Sequence, residues 1–410
     1  MSTVAIASPW IIMIALGGLG SLTAVGAPLP LDPVLSQIAP EQCLWYSATA
    51  GAGAPDPTSS NHTEQLFAEP QVQRFLVELE TQITSALRRA GGPAREQRVI
   101  TAEGPKLVKI LLSRPMAMYV EEVKPAPDGG VQVAAAIVLS AGDQKTVFRD
   151  SLGQLLSLAT AKGLKLTTET GGGIDWQRIE LPRAAPAVRF GWKDNYFIVA
   201  VGQDTPTTVL ERMGGATPKW LTELRAEHPV EREMTIGYID VAGILERARP
   251  LVEAKDPQAW PIIERLGLTS IKAVHAVGGY DATGCVSMVH LATDGTRPGL
   301  LQFIPHKPLM QEDLAIVPKD ALVALAVSLD PAEATDQAVA LVSQFEPRAR
   351  EDFERTMWEI EAHVGVNVRD EVLATVGDAW VVYLPGGDLM SSWLNSAAAV
   401  RVKDPARLRT

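Results

Sequence analysis

Short apolar runs alternating with amphipathic stretches set the rhythm of this chain. Apolar runs rich in β-branched and aromatic residues read as strands at 43–46, 116–120, 131–139, 174–181, 187–192, 196–201, 234–239, 271–280, 285–291, 322–329, 379–384 and 397–402, with another expected at 300–304. Helical patterning covers 63–90 (restarted at Pro70), 145–161, 207–213, 241–252 and 332–363. Lys193-Asp194-Asn195 and Asp281-Ala282-Thr283-Gly284 sit between adjacent strands as hairpin turns. Hairpins imply antiparallel pairing, so the expected class is α+β, mainly antiparallel sheets with helices packed on one face.

One local phrase recurs: an apolar strand, an aspartate, then a helix, at Asp143, Asp204, Asp240, Asp330 and Asp404. An aspartate there accepts from the unpaired amides of a first helical turn and suits the positive end of its dipole. Proline follows directly at Pro331 and Pro405, where no helical hydrogen bond is lost. Helix capping is therefore the expected role of all five, in preference to metal ligation.

A longer order also recurs. Pro40-Glu41-Gln42-Cys43 leads into a strand, a long helical stretch, a strand, a glycine turn at Asp128-Gly129-Gly130 and the strand containing Ala134-Ala135-Ala136. Pro318-Lys319-Asp320-Ala321 opens the same series, with a turn at Pro385-Gly386-Gly387 and a strand at Ala397-Ala398-Ala399. We read this as an internal duplication whose second copy is incomplete, since little sequence follows Asp404, and truncation is the favoured reading. The expected segments are a signal peptide (1–26), a first α/β repeat unit (36–165), a β-rich middle region (166–313) and a second, truncated repeat unit (314–410).

The signal peptide rests on the first stretch of the chain. No charge precedes Asp32, Trp10 to Leu16 are almost wholly apolar, and Ala24-Val25-Gly26 offers small residues before Ala27. The run is shorter than the roughly 20 residues a bilayer requires. A cleaved export signal and a periplasmic or secreted location follow, although the missing Lys or Arg before the apolar run leaves an uncleaved membrane anchor as the competing reading. Cys43 and Cys285, both on apparent buried strands, read as inert core thiols.

Charge removes one class of partner. With 48 acidic against 37 basic residues the formal net charge is −11, the wrong sign for phosphate binding, so no nucleic acid is expected.

Candidate chemistry is sparse. HExxH, GxSxG and Walker phrases are missing. Gly171-Gly172-Gly173 precedes a strand, not a helix, and reads as a turn. Of the six histidines, His275 and His290 form the best pair, because the hairpin between them brings both to one sheet face. No third histidine or carboxylate has ligand spacing beside them, and zinc asks for three or four donors, so a structural role is expected. Asn61-His62-Thr63 fits a glycosylation sequon of a kind common by chance, and His306 follows a proline in a loop. The carboxylates Glu121-Glu122, Glu359 and Glu361 read as solvated surface. Trp45, Trp192, Trp358 and Trp380 read as core, whereas Trp220, Trp260 and Trp393 lie near loops, where packing competes with lining a ligand groove. No catalytic, cofactor-binding or metal residue is assigned, and no cofactor is implied.

The export signal, the Pro40–Cys43 opening and Tyr238-Ile239-Asp240-Val241 with Leu245 together resemble a group of exported bacterial proteins without an assigned activity. The resemblance is architectural and carries no functional residue. With the catalytic phrases missing, a non-enzymatic binding or scaffolding role at the cell envelope is expected, with an envelope protein or a polysaccharide as partner. The alternative is an extracytoplasmic hydrolase whose site is assembled from scattered residues.

Overall fold

Residues 26–90, 95–125, 130–181, 185–305, 307–387 and 394–404 are described by the structure, a computed structural model. The expected signal peptide to Val25, the turn residues Asp128 and Gly129, His306, Trp393 and the stretch after Asp404 lie outside them. The chain divides into two compact units, 1–248 with 272–292, and 249–271 with 293–410.

In the first unit the order is β1 (Ala27–Pro28), α1 (Pro33–Gln37), β2 (Trp45–Thr49), β3 (Ala52–Gly53), α2 (His62–Ala68), α3 (Pro70–Ala90), α4 (Arg95–Ser113), β4 (Met116–Pro125), β5 (Val131–Ser140) and α5 (Lys145–Ala161). There follow β6 (Leu166–Gly171), β7 (Ile174–Ile179), β8 (Val188–Lys193), β9 (Tyr196–Val201), α6 (Thr205–Arg212), α7 (Lys219–Glu227), β10 (Arg232–Asp240) and α8 (Val241–Lys255), whose end crosses into the second unit. The hairpin of β11 (Ile271–Tyr280) and β12 (Cys285–Thr293) completes the unit. The pattern does not announce α4, because Gly104-Pro105 interrupts it.

Ten strands form one sheet in the order β12-β11-β10-β2-β4-β5-β9-β8-β7-β6. The pairings from β11 across to β6 are antiparallel, so the α+β class holds. The boundary expected near residue 165 therefore falls inside a continuous sheet: β6 to β9 extend the strands of the first segment and do not start a separate region.

Successive strand residues face opposite sides, and both sides carry apolar residues. Tyr119, Ala136, Val138, Ile198 and Ala200 pack with Val209 of α6 and Leu221 and Leu224 of α7. Their neighbours Leu139 and Phe197 pack on the other side with Leu107 and Ile110 of α4 and Phe148 of α5. This corrects the expected placement of helices on one face: the central sheet, apolar at consecutive positions along β9 and through 116–120 and 133–139, is covered twice. Gly172 and Gly173 both take positive φ (62° and 77°), closing β6 onto β7 with the two-residue turn that favours such backbones.

The second unit holds α9 (Ala259–Arg265) and a three-stranded antiparallel sheet in the order β13 (Val323–Ser328), β14 (Val376–Leu384), β15 (Ala397–Val402). The helices α10 (Pro331–Ser343) and α11 (Ala349–Val364) lie between β13 and β14 in the chain. Residues 300–304, expected as a strand, instead fall mostly in a 3-10 turn (Gly299–Phe303) begun by Gly299 at φ +60°, where a Cβ would meet the Leu266 backbone. Trp358, expected in the core, is exposed on α11.

The five aspartates divide. Asp330 caps α10, its Oδ1 accepting from Ala332 and Glu333 amides, and Asp240 accepts from the Gly243 amide at the start of α8. Asp204 precedes α6 without a side-chain cap bond, while Asp143 instead pairs with Arg114. The helix that would follow Asp404 lies outside the described residues. Capping also operates where the strand–aspartate phrase is absent, at Asp32 on Val34 and at Asn61 on Glu64.

Candidate metal site

The end of the large sheet at β10–β11–β12 collects three of the six histidines. Two arrive on the hairpin. Its turn is fixed by Asp281, whose Oδ1 accepts from the Thr283 and Gly284 amides at 2.7 Å, and by the side-chain amide of Asn61, which donates to the Asp281 and Gly284 carbonyls at 2.9 and 2.8 Å. With the turn held, His275 on β11 and His290 on β12 stack at 5.7 Å between ring centroids and 29° between planes.

His228 arrives from another direction. It follows the last residue of α7, donates its backbone N–H to the Leu224 carbonyl, and precedes Pro229, which cannot continue the helix. Leu221 and Leu224, three residues apart, face inward and are buried, anchoring α7 to the sheet. The flank is pinned by Arg225, which grips the Glu233 carboxylate with two bonds of 2.9 Å and donates a third to Ser36. Consequently the helix end, with Glu227 and His228, is delivered to the hairpin: the His228 ring stands 5.1 Å from His290 and 6.1 Å from His275.

The rings continue inward as a row set by strand register. Tyr238 lies opposite both His275 and Tyr46. Tyr238 stacks on His275 at 5.6 Å, and Trp220 of α7 lies 4.7 Å from Tyr238 with its indole N–H on the Pro40 carbonyl.

Polar bookkeeping distinguishes this cluster from ordinary packing. A carboxylate oxygen of Glu227 and one ring nitrogen each of His228 and His275 all lie within 4.8 Å of one another. His228 Nε2 and His275 Nδ1 are buried and have no hydrogen-bond partner. A buried polar atom left so costs on the order of 1–3 kcal/mol, which a packed histidine normally avoids. Burial, and then the neighbouring His290 and His228 rings, lower the proton affinity of His275. Carbonyls at the C-terminal end of α7 add partial negative charge, so the place suits a cation. Two imidazoles and a carboxylate form a recurrent donor set for zinc and other first-row metals.

No family model, no curated protein and no solved structure matches this chain. The site therefore stands on its geometry.

The other sequence candidates are dispersed. Trp220 belongs to the ring row, Trp260 is buried with its N–H on Glu264, and Trp393 and His306 lie outside the described residues. Asn61 is buried and engaged at both ends of its amide, so the sequon is structural. Glu121 is held bidentate by Arg212, and Glu122 pairs with Lys124. Both line a cleft of about 770 Å³ with Asp204 and Thr205. Cys43 is buried, its thiol pushed up to about 12 chiefly by burial, whereas Cys285 is exposed at the start of β12, not in the core as expected. Sequence reasoning missed Glu227 and His228, which stand 47 or more residues from the hairpin histidines. Their one signal was an adjacent carboxylate and imidazole at a helix end closed by Pro229.

Proposed function

We propose that this is an exported, non-enzymatic binding protein of the cell envelope whose ligand is a divalent transition-metal ion, held by Glu227, His228 and His275. The observation that carries the reading is the pair of buried, unpartnered imidazole nitrogens at a gathering of donors that includes a carboxylate. The mixed nitrogen and oxygen set favours zinc or a neighbouring first-row ion over calcium or magnesium, which prefer all-oxygen shells. Export rests on the apolar opening of the chain; among the described residues no helix is long and apolar enough to cross a membrane.

The test is a calorimetric titration of the metal-stripped protein with Zn²⁺, with Ca²⁺ and Mg²⁺ as controls. One Zn²⁺ per chain is expected, lost when His228 and His275 are both replaced by alanine, with no saturable uptake of the control ions. Absence of stoichiometric Zn²⁺ binding, or binding indifferent to the double replacement, sinks the proposal.

A further inference from the structure

Three donors leave a tetrahedral ion one ligand short. His290 is the nearest additional group: its ring is 5.1 Å from that of His228 and stacked on His275, yet it stands outside the set whose ligand atoms gather within 4.8 Å. It also differs in setting. His290 is exposed on β12, the edge strand of the sheet, beside Val289 at 74% exposure, so no strand packs against it from outside. Exposed side chains of this kind change rotamer on a ps–ns timescale.

The backbone segments that carry the other donors are fixed by contacts that need no ion. α7 is held by Leu221, Leu224, the Arg225–Glu233 pair and the Trp220 bond to Pro40, and His275 lies in register against Tyr238. A structural zinc supplies the folding energy of its domain; here the frame exists already.

Resting on the metal-binding reading, we infer that the ion is exchangeable cargo, with His290 supplying a fourth donor by a rotamer change and its withdrawal opening the position through which an incoming ligand removes the ion. The incoming ligand is a small chelator or a partner's imidazole, carboxylate or thiolate group. Closing the shell brings the donors to about 3.3 Å from one another, the spacing set by metal–ligand bonds near 2.0–2.1 Å. The presentation of His228 at a helix end and of His290 on an edge strand permits this without moving the sheet.

Co²⁺ is the probe, because its visible bands are intense when four-coordinate and weak when water raises the coordination number. Wild-type protein should bind one Co²⁺ with intense bands and surrender it to excess EDTA without unfolding. H290A should keep the one-to-one stoichiometry, bind at least about tenfold more weakly, show weakened bands, and recover them when free imidazole is added. Identical spectra and affinity in H290A remove His290 from the shell. Transfer to EDTA no faster than global unfolding makes the ion structural. Either result overturns this inference while leaving metal binding in place, whereas failure of the wild type to take up Co²⁺ or Zn²⁺ overturns both.

Discussion

Two groups of polar side chains lie on the same part of the large sheet and have been finished differently. Around α2, α7 and β10 two ion pairs are closed: Glu64 accepts from Arg232 and from the Asp56 amide, and Glu233 is gripped by Arg225. At the β11–β12 end, imidazole nitrogens equally removed from water have no partner. A closed ion pair is explained by the fold that contains it. An open set of lone pairs is explained by something it receives, and the contrast separates architecture from site on one surface.

The largest effect should come from breaking the closed group. Glu233→Ala leaves the Arg225 guanidinium without its carboxylate and loosens α7, so unfolding free energy should fall by about 3–4 kcal/mol in a urea titration. A loss below about 1 kcal/mol would remove the distinction. Next, His228→Ala should reduce Zn²⁺ affinity at least about 100-fold, exceeding the loss from a supporting residue. Its metal-free stability should change by less than about 1 kcal/mol, since the lost ring had a nitrogen unpaired. A large stability loss with unchanged Zn²⁺ affinity would make the cluster architectural too.

Acid should also act on the closed group. Arg232 and the surrounding hydrogen bonds hold the Glu64 carboxyl below its ordinary value. The stability this pair provides is complete above the unfolded-state value near 4.5 and is lost as pH falls through the lower folded-state value. Thermal unfolding of Glu64→Gln should therefore depend less on pH below about 4.5 than that of the wild type. The smallest effect is expected at Cys285→Ser. This thiol is exposed on the strand that carries His290 but outside the ring cluster, so stability should stay within about 0.5 kcal/mol and Zn²⁺ affinity should not move. A drop in affinity would bring sulfur into the donor set.

How far the sequence foretold these regions depended on how local each determinant was. The hairpin that pairs His275 with His290 was legible because four turn residues join the strands and register follows from the turn. His228 was not, because its place is decided by the burial of Leu221 and Leu224 and by the Arg225–Glu233 pair, contacts between elements distant in the chain. Asp330 behaved as a cap because Pro331 opens its helix and one carboxylate oxygen meets the first-turn amides while the other accepts from Lys403, whereas Asp143 met Arg114 and makes no cap bond. The two segments read as repeats do share the order strand, helices, strand, strand, with antiparallel neighbours β2-β4-β5 and β13-β14-β15. That agreement is one of topology. The faces differ: Ala117 and Tyr119 are buried, while Val323 and Leu325 are exposed, an asymmetry that alternation of apolar residues does not encode.

Asn61 ties these observations to practice. Its amide bolts α2 to the turn of the histidine hairpin across more than 200 residues of chain, within a triplet that a eukaryotic secretory pathway reads as an acceptor for sugar. A glycan attached there during translocation would displace the bolt before the hairpin had formed. Chains made in yeast or insect secretory hosts should consequently be retained or degraded where bacterial material folds, and Asn61→Asp, which loses the donor, would be a poor cure. Thr63→Ser would leave the sequon intact, whereas Thr63→Val would silence it and spare the asparagine at the cost of the Thr63 hydroxyl's bond from the Cys285 amide.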